Sequence, residues 1–120
     1  MKIYVSLPIT GKKEGAAIAA SIEKTVIAAA GDEAVTPFDI HAGENPGYFD
    51  HLCADLRALA DCDAIRLMPG WQESLGCRIE YDFARRTFKR IEYPGGTVLD
   101  LRECVLPPRY GNILPGRLKR

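Results

Sequence analysis

Short apolar runs alternate along the chain with longer stretches in which apolar residues recur every three or four positions. The runs that predict strands are 2–6, 33–38, 63–68, 90–93 and 97–101. The stretches with helical spacing are 12–30, 49–60 and 74–88. Helical crossovers between strands make those strands parallel and cover both faces of their sheet. The pattern therefore predicts an α/β fold, a three-layer α-β-α sandwich around a small parallel Rossmann- or flavodoxin-like sheet of four to five strands.

The first helical stretch is rich in alanine. Ile18, Ile22 and Val26 follow one another at intervals of four residues, which is the spacing of one helical face. Gly31 stands where a helix C-cap is expected. One strand contains an unexpected charge, because Arg66 lies in a run that should be buried. An interface, a sheet edge or pairing with an acid elsewhere would each explain this arginine.

Composition narrows the class of protein. A chain of 120 residues with 47% hydrophobic and 27% charged residues is typical of one soluble globular domain. Sixteen basic residues balance sixteen acidic ones, so neither a nucleic-acid polymer nor a membrane is expected as partner. The apolar start meets Pro8 too early for a signal peptide, and no run approaches the ~20 residues of a membrane span. The four cysteines form no CxxC pair, so neither a zinc site nor a redox motif is suggested. A cytoplasmic location with four reduced thiols is expected.

The composition changes near the end of the chain. Residues 1–106 form the predicted domain, and 107–120 form a tail rich in proline, glycine and basic residues. One interpretation is a frayed, solvated end. The other is an arm that wraps a neighbouring subunit, because Tyr110, Ile113 and Leu114 are more apolar than a disordered tail requires.

Ligands of open parallel sheets bind outside the carboxyl ends of the strands. That rule selects the segments 6–11, 38–39 and 69–71 together with the start of the helix that follows. Trp71 either stacks on a planar ligand ring or packs its loop against the sheet. His41 and His51 have no metal-like spacing and are interpreted as loop or surface residues.

The segment Ser74-Leu75-Gly76-Cys77-Arg78-Ile79-Glu80 has the strongest chemical pattern in the chain. Helical side chains lean toward the helix N-terminus, so Glu80 is predicted to point back over Gly76, which has no side chain to block it. A carboxylate beneath an open helix mouth can act as a nucleophile. A solvated helix glutamate would give the same local pattern, so both interpretations stand at this point.

Several of these segments occur in an order and at spacings that resemble one enzyme family. They are Ile3-Tyr4-Val5, Pro8-Ile9-Thr10-Gly11, Asp55-Leu56, Cys62-Asp63-Ala64-Ile65, Pro69-Gly70-Trp71 and Ser74-x-Gly76-x-x-x-Glu80. Together they resemble the nucleoside 2-deoxyribosyltransferase family, and its small, largely uncharacterised bacterial and phage branch above all. The resemblance covers residues 2–93.

The resemblance implies cleavage or transfer at the N-glycosidic bond of 2-deoxyribonucleosides or their 5′-monophosphates. In that family the glutamate at the position of Glu80 is the nucleophile, and the aspartate at Asp55 lies beside it and helps to hold the sugar. The tyrosine at Tyr4 lines the site. A serine at Ser74 is similar to members that act on 5′-monophosphates, since a hydroxyl at a helix N-terminus suits phosphate. Alternatively, Ser74 only caps the helix.

Further expectations complete this interpretation. Asp39 is a candidate acid for the departing base by its place after the second strand. Neither a metal nor a cofactor is expected. A homo-oligomer, dimer or larger, is expected because family members complete their sites from a neighbour. A non-catalytic nucleotide-binding module and a structural domain acting through its tail are the alternatives. The candidate catalytic residues are Glu80 and Asp55, and the candidate substrate-binding residues are Tyr4, Ser6, Pro8, Gly11, Asp39, Trp71, Ser74 and Gly76.

The chain departs from the family pattern at three places. Asp82 stands where many members have glycine two residues beyond the nucleophile, and Leu7 replaces a common glycine in the first loop. Gly76-Cys77 replaces a common Gly-Thr pair. These departures bear on substrate choice more than on fold, and they are compatible with a member that binds nucleotides without cleaving them.

Overall fold

A computed structural model describes residues 1–104 and confirms the α/β fold. The strands are β1 (Lys2–Ser6), β2 (Glu33–Val35), β3 (Ala64–Leu67), β4 (Arg90–Glu92) and β5 (Val98–Asp100). The helices are α1 (Lys13–Ala29), α2 (Tyr48–Ala60) and α3 (Leu75–Arg86). The predicted tail, 107–120, lies outside the described residues.

The five strands form one sheet in the order β2-β1-β3-β4-β5. The first four are parallel, but β5 runs antiparallel to β4, so the prediction of a parallel sheet is wrong at this edge. The connection from β4 to β5 is too short for a crossover, and only a hairpin can close it. Gly95 and Gly96 form its turn with φ of +89° and +95°, and the amide of Tyr93 donates to the carbonyl of Thr97 at 2.7 Å.

The second strand is shorter than its apolar run predicts. It ends at Val35, and the chain then turns through Pro37–Asp39. The Asp39 carboxylate accepts hydrogen bonds from the backbone amide of Thr36 at 3.0 Å and from its hydroxyl at 3.2 Å. Because Pro37 has no N–H to continue the strand ladder, this local capping turn forms in its place.

Two apolar layers enclose the sheet, as the sandwich prediction requires. On one face Ile3 and Val5 pack with Ala16, Ala20 and Ile27 of α1. On the other face the core comprises Tyr4, Leu59, Cys62, Ile65, Leu67, Ala84 and Ile91. Alternation along β1 also turns Ser6 to the same face as Tyr4, toward α3.

The apolar residues that recur every four positions along α1 are not the residues that this helix buries. Ile18, Ile22 and Val26 are 64%, 59% and 50% exposed. The helix instead contacts the sheet through a face that includes Ala16 and Ala20. The buried face also contains Ile27, and the stripe of Ile18, Ile22 and Val26 is left on the outside.

Arg66 is explained by pairing with one acid on the neighbouring strand β4 and one on α1. Its Nε donates to Oε1 of Glu92 at 2.7 Å, and its Nη1 donates to Oε2 of Glu23 at 2.9 Å. This ion pair links β3 to β4 and to α1. None of the helices in residues 1–104 is long and apolar enough to cross a membrane.

Candidate active site

A cavity of about 900 Å³ opens at the carboxyl ends of β1 and β3. Its walls are the loop after β1, the turn after β2, one face of α2 and the first turns of α3. The lining residues are Leu7, Pro8, Ile9, Thr10, Lys12, Lys13, Pro37, Phe38, Ile40, Tyr48, His51, Leu52, Asp55, Gly70, Glu73, Ser74, Leu75, Gly76, Cys77 and Glu80. The position agrees with the rule that ligands of parallel sheets bind at this end.

Glu80 is a buried carboxylate on the wall of this cavity, with only 4% of its surface exposed. The hydroxyl of Ser6 donates to Oε1 at 2.7 Å, and the hydroxyl of Tyr4 donates to Oε2 at 2.8 Å. The two donors are two residues apart on β1 and therefore point to the same side. Both oxygens of the carboxylate are thus held in a fixed orientation by the central strand.

Two carboxyl groups at the cavity titrate near neutral pH. Burial raises the pKa of Glu80 to about 7, against the hydrogen bonds from Ser6 and Tyr4, and the negative charge of Asp55 adds to the rise. Burial likewise raises the pKa of Asp55 to about 6, although His51 acts in the opposite direction. Paired carboxyl groups with raised pKa values in a cleft are typical of acid–base and nucleophilic sites.

One face of α2 contributes four residues to the cavity. Tyr48, His51, Leu52 and Asp55 are spaced as a helical face, so they line the wall from the helix N-terminus inward. The sequence indicates a surface position for His51, and the residue is exposed, but it also borders the cavity one turn before Asp55. The spacing of four residues between His51 and Asp55 is the signal that could have identified it.

The first turn of α3 closes another side of the cavity. Ser74 is the N-cap of this helix, and its Oγ accepts a hydrogen bond from the amide of Cys77 at 3.3 Å. The capping bond uses Oγ as an acceptor, so the hydroxyl can still act as a donor. Ser74 also lines the cavity, where this hydroxyl can donate to a ligand. Gly76 leaves the mouth open, and a Cβ placed there would lie 3.5 Å from Oη of Tyr48.

Three of the predicted substrate contacts, Asp39, Gly11 and Trp71, are not among the residues that line this cavity, although each is next to one that does. Asp39 accepts a hydrogen bond from Nζ of Lys24 at 2.8 Å. Partial burial favours a higher pKa for Asp39, but the bonds from Lys24 and Thr36 outweigh it and lower the pKa. Asp39 is therefore poorly suited to donate a proton at the site. Gly11 is a turn residue with φ of +74°, and a Cβ placed on it would meet no heavy atom within 4 Å.

Trp71 packs its loop against the protein and does not face the main cavity. Its ring centroid lies 4.7 Å from that of Tyr81 and 6.4 Å from that of Tyr93. The indole borders a separate, shallower depression of about 480 Å³. Of the two interpretations of Trp71, the geometry favours packing.

The other predicted substrate contacts lie at the cavity or contact Glu80. Tyr4 and Ser6 donate hydrogen bonds to Glu80, and Pro8 lines the cavity. Within residues 1–104 no group of three or more histidine, cysteine, aspartate or glutamate side chains is arranged to hold a metal ion.

A family model for a domain of unknown function, DUF4406, matches residues 1–93. The chain belongs to the DUF4406 family. The matched region runs from β1 through β4 and includes every residue that lines the cavity. No curated protein and no solved structure matches the chain. Membership in DUF4406 by itself assigns no activity.

Proposed function

We propose that this DUF4406 protein cleaves or transfers at the N-glycosidic bond of 2-deoxyribonucleosides or their 5′-monophosphates. The observation that carries the proposal is Glu80, a buried carboxylate that faces a ligand-sized cavity while Tyr4 and Ser6 hold both of its oxygens. The motifs that resemble the nucleoside 2-deoxyribosyltransferases include this glutamate, and a buried carboxylate held at a cavity supports the same chemistry.

In the first step, a carboxylate oxygen of Glu80 attacks the anomeric carbon of the sugar. The bond from that carbon to the base nitrogen breaks, and its electron pair leaves with the base. The transition state resembles an oxocarbenium ion, which a neighbouring carboxylate stabilises. A poorly hydrated carboxylate loses little solvation on attack, so the burial of Glu80 favours this role.

The departing base needs a proton, and Asp55 is the better placed donor. It lines the cavity, and its pKa of about 6 leaves part of the population protonated near neutral pH. Asp39, the candidate suggested by the sequence, is held as a carboxylate by Lys24 and Thr36. We therefore assign the proton transfer to Asp55.

In the second step, water or another base attacks the anomeric carbon, and the bond from that carbon to the Glu80 oxygen breaks. The proton of an attacking water passes to Asp55, which the first step leaves as a carboxylate. Water gives hydrolysis, and a second base gives transfer. Neither step changes the oxidation state of any atom, so the scheme requires no redox cofactor.

Lys12, Lys13 and Ser74 in the cavity lining support a preference for substrates that carry a 5′-phosphate, which the carboxylate of Glu73 in the same lining opposes. Lys12 and Lys13 line the cavity beside the N-terminus of α1, and Ser74 lines it at the N-terminus of α3. Free amide groups at helix N-termini attract anions, and lysine provides full charges. We infer that deoxynucleoside 5′-monophosphates are better substrates than the corresponding nucleosides.

The test is base release from a panel of deoxynucleosides and their 5′-monophosphates, followed by chromatography. We expect wild type to release base and Glu80→Gln to be slower by about three orders of magnitude or more, because an amide is a poor nucleophile. Asp82→Asn is the matched control, since the structure places Asp82 outside the cavity lining, as an exposed carboxylate of the same helix paired with Arg86. It should retain wild-type rates.

Two results would contradict the proposal. If wild type is active and Glu80→Gln keeps most of that activity, Glu80 is not the nucleophile. If wild type binds nucleotides in a titration but releases no base from any of them, the protein is a binding module.

A further inference from the structure

Tyr48 lies at the mouth of the main cavity, where α2 and α3 contact each other. It is the first residue of α2, and it is 55% exposed. A Cβ placed on Gly76, the second residue of α3, would lie 3.5 Å from the hydroxyl oxygen of Tyr48 and 4.0 Å from Oγ of Ser74. The two hydroxyls therefore border the same gap, which is open because residue 76 has no side chain.

The hydroxyl of Tyr48 makes no hydrogen bond within residues 1–104. The other tyrosines of this region use their hydroxyls in the fold. Tyr4 donates to Glu80, and the hydroxyls of Tyr81 and Tyr93 are bonded to each other at 3.0 Å. The fold thus leaves one phenol donor unused among the described residues, and that donor lies at the cavity mouth.

Ser74 provides a second hydroxyl donor beside the gap. Its Oγ accepts a hydrogen bond from the amide of Cys77, so its own proton can be donated to a ligand. The first backbone N–H groups of α3 have no partner inside the helix, and they lie at the same end of it. Hydroxyls from two helices and amides from one of them are therefore available to a single ligand group.

An anionic group with several acceptor oxygens fits these donors. A helix N-terminus attracts negative charge, and Lys12 and Lys13 line the same cavity. The carboxylate of Glu73, also in the lining, opposes an anion, so the hydrogen-bond donors must supply part of the preference. A phosphate presents three acceptor oxygens and can accept from both hydroxyls, whereas the 5′-hydroxyl of a nucleoside presents a single oxygen.

We propose that Tyr48 is a specificity-determining residue, which donates to the 5′-phosphate of a bound nucleotide together with Ser74. This role rests on the proposed function, in which Ser74 meets a 5′-phosphate, and it adds a donor from α2. Gly76 leaves room for the phosphate between the two hydroxyls. Because a hydrogen bond to a charged group is stronger than one to a neutral group, Tyr48 favours the monophosphate over the nucleoside.

The experiment measures binding by titration calorimetry in the Glu80→Gln variant, so that bound nucleotide is not consumed. The ligands are the deoxynucleoside 5′-monophosphates of adenine, guanine, cytosine and thymine, and the corresponding nucleosides. Adding Tyr48→Phe should weaken binding of the monophosphate by roughly tenfold and that of the nucleoside by less than about twofold. Tyr93→Phe is the matched control, because it removes a hydroxyl from a tyrosine that lines the separate depression. It should leave both affinities unchanged.

Tyr48→Phe is not expected to disturb the fold, since the lost hydroxyl has no partner in the described chain. Gly76→Ala tests the gap itself. Its methyl group would make ordinary contacts at 3.5 and 4.0 Å, and alanine is a better helix former than glycine. Gly76→Ala should therefore unfold at the same or a higher temperature, yet lose severalfold more affinity for the monophosphate than for the nucleoside. A purely structural role for Gly76 predicts no such loss.

The proposal is overturned if Tyr48→Phe leaves the affinity for every monophosphate unchanged. It is also overturned if the nucleosides lose as much affinity as the monophosphates, since Tyr48 then contacts the sugar or the base. Equal affinities for monophosphates and nucleosides before Tyr48 is changed reject a phosphate at this gap, and so does the absence of binding for all of these ligands.

These outcomes are separate from whether the protein cleaves its ligand. If wild type releases base and Tyr48→Phe keeps the wild-type preference for monophosphates, the role of Tyr48 is overturned and the proposed function stands. If wild type releases no base but monophosphate binding depends on Tyr48, the proposed function is overturned and the role of Tyr48 stands.

Discussion

At the scale of single residues, Glu80 shows a conflict between burial and hydrogen bonding. Burial opposes the charged form, while the two hydroxyl donors on β1 favour it. A hydrogen bond to a charged group contributes about 1.5–3 kcal/mol, which is less than the cost of burying an isolated ion. The pKa therefore stays raised, at about 7, and the carboxylate is available for attack mainly above that pH.

This raised pKa predicts how stability depends on pH. The folded state holds the proton of Glu80 up to about pH 7, whereas the unfolded chain loses it near 4.5. The stabilisation is therefore complete below pH 4.5 and is lost as pH rises through about 7. The difference corresponds to about 3 kcal/mol. Asp55 acts in the same direction at slightly lower pH.

The measurement is the urea midpoint of wild type and Glu80→Gln between about pH 5 and pH 8, the range that spans the raised pKa. Glutamine has no titrating proton, so the variant should lose less stability over this range than wild type does. Parallel curves for the two proteins would mean that the pKa of Glu80 is not raised in the folded state.

At the scale of elements, the start of α3 combines two roles in one side chain. Ser74 caps the helix through its bond to the amide of Cys77, and it also faces the cavity. The capping role concerns stability, and the role toward a phosphate concerns substrate preference. Substitutions can separate the two because aspartate caps a helix as well as serine but repels phosphate.

We expect Ser74→Asp to leave the free energy of unfolding within about 0.5 kcal/mol of wild type. The same variant should lower the ratio of kcat/KM for a 5′-monophosphate over its nucleoside by roughly tenfold or more, through loss of a charge-assisted hydrogen bond. Ser74→Ala, which removes the cap, should cost about 1 kcal/mol. An unchanged ratio in Ser74→Asp would restrict Ser74 to capping.

At the scale of the whole molecule, Arg66 connects three elements. Its guanidinium joins β3 to Glu92 on β4 and to Glu23 on α1, and the Glu92 side chain is only 10% exposed. Arg90 also donates to Glu92 at 3.0 Å, so the carboxylate keeps one partner when Arg66 is removed. The pairing explains how a charge is accommodated in a central strand.

Arg66→Met should lower the free energy of unfolding by about 2 kcal/mol, because it leaves a buried carboxylate with half of its charge partners. Methionine keeps much of the length of the side chain and removes the charge. Arg86→Met is the control, since Arg86 pairs with Asp82 at the surface and contributes less than about 1 kcal/mol. Equal losses in the two variants by chemical denaturation would contradict a structural role for the Arg66 pairing.

Local patterns in the sequence are sufficient to predict much of the structure of this protein. The spacing of apolar residues predicts all three helices and the succession of strands, because a helix or a strand repeats over a few neighbouring residues. The same spacing predicts Ser74 at the start of α3 and Glu80 above Gly76, because their relation depends only on the geometry of one helix. The carboxyl-end rule also locates the cavity.

Tertiary structure alone decided the features that depend on distant residues. Tyr4 reaches Glu80 across 76 positions of the chain, and no local pattern specifies that contact. The exposure of Ile22, the packing of Trp71 and the reversal of β5 likewise follow from which surfaces meet in three dimensions. The spacing of apolar residues shows that a helix has an apolar stripe, but the packing of the whole fold determines that the face of Ala16, Ala20 and Ile27 is the buried side of α1.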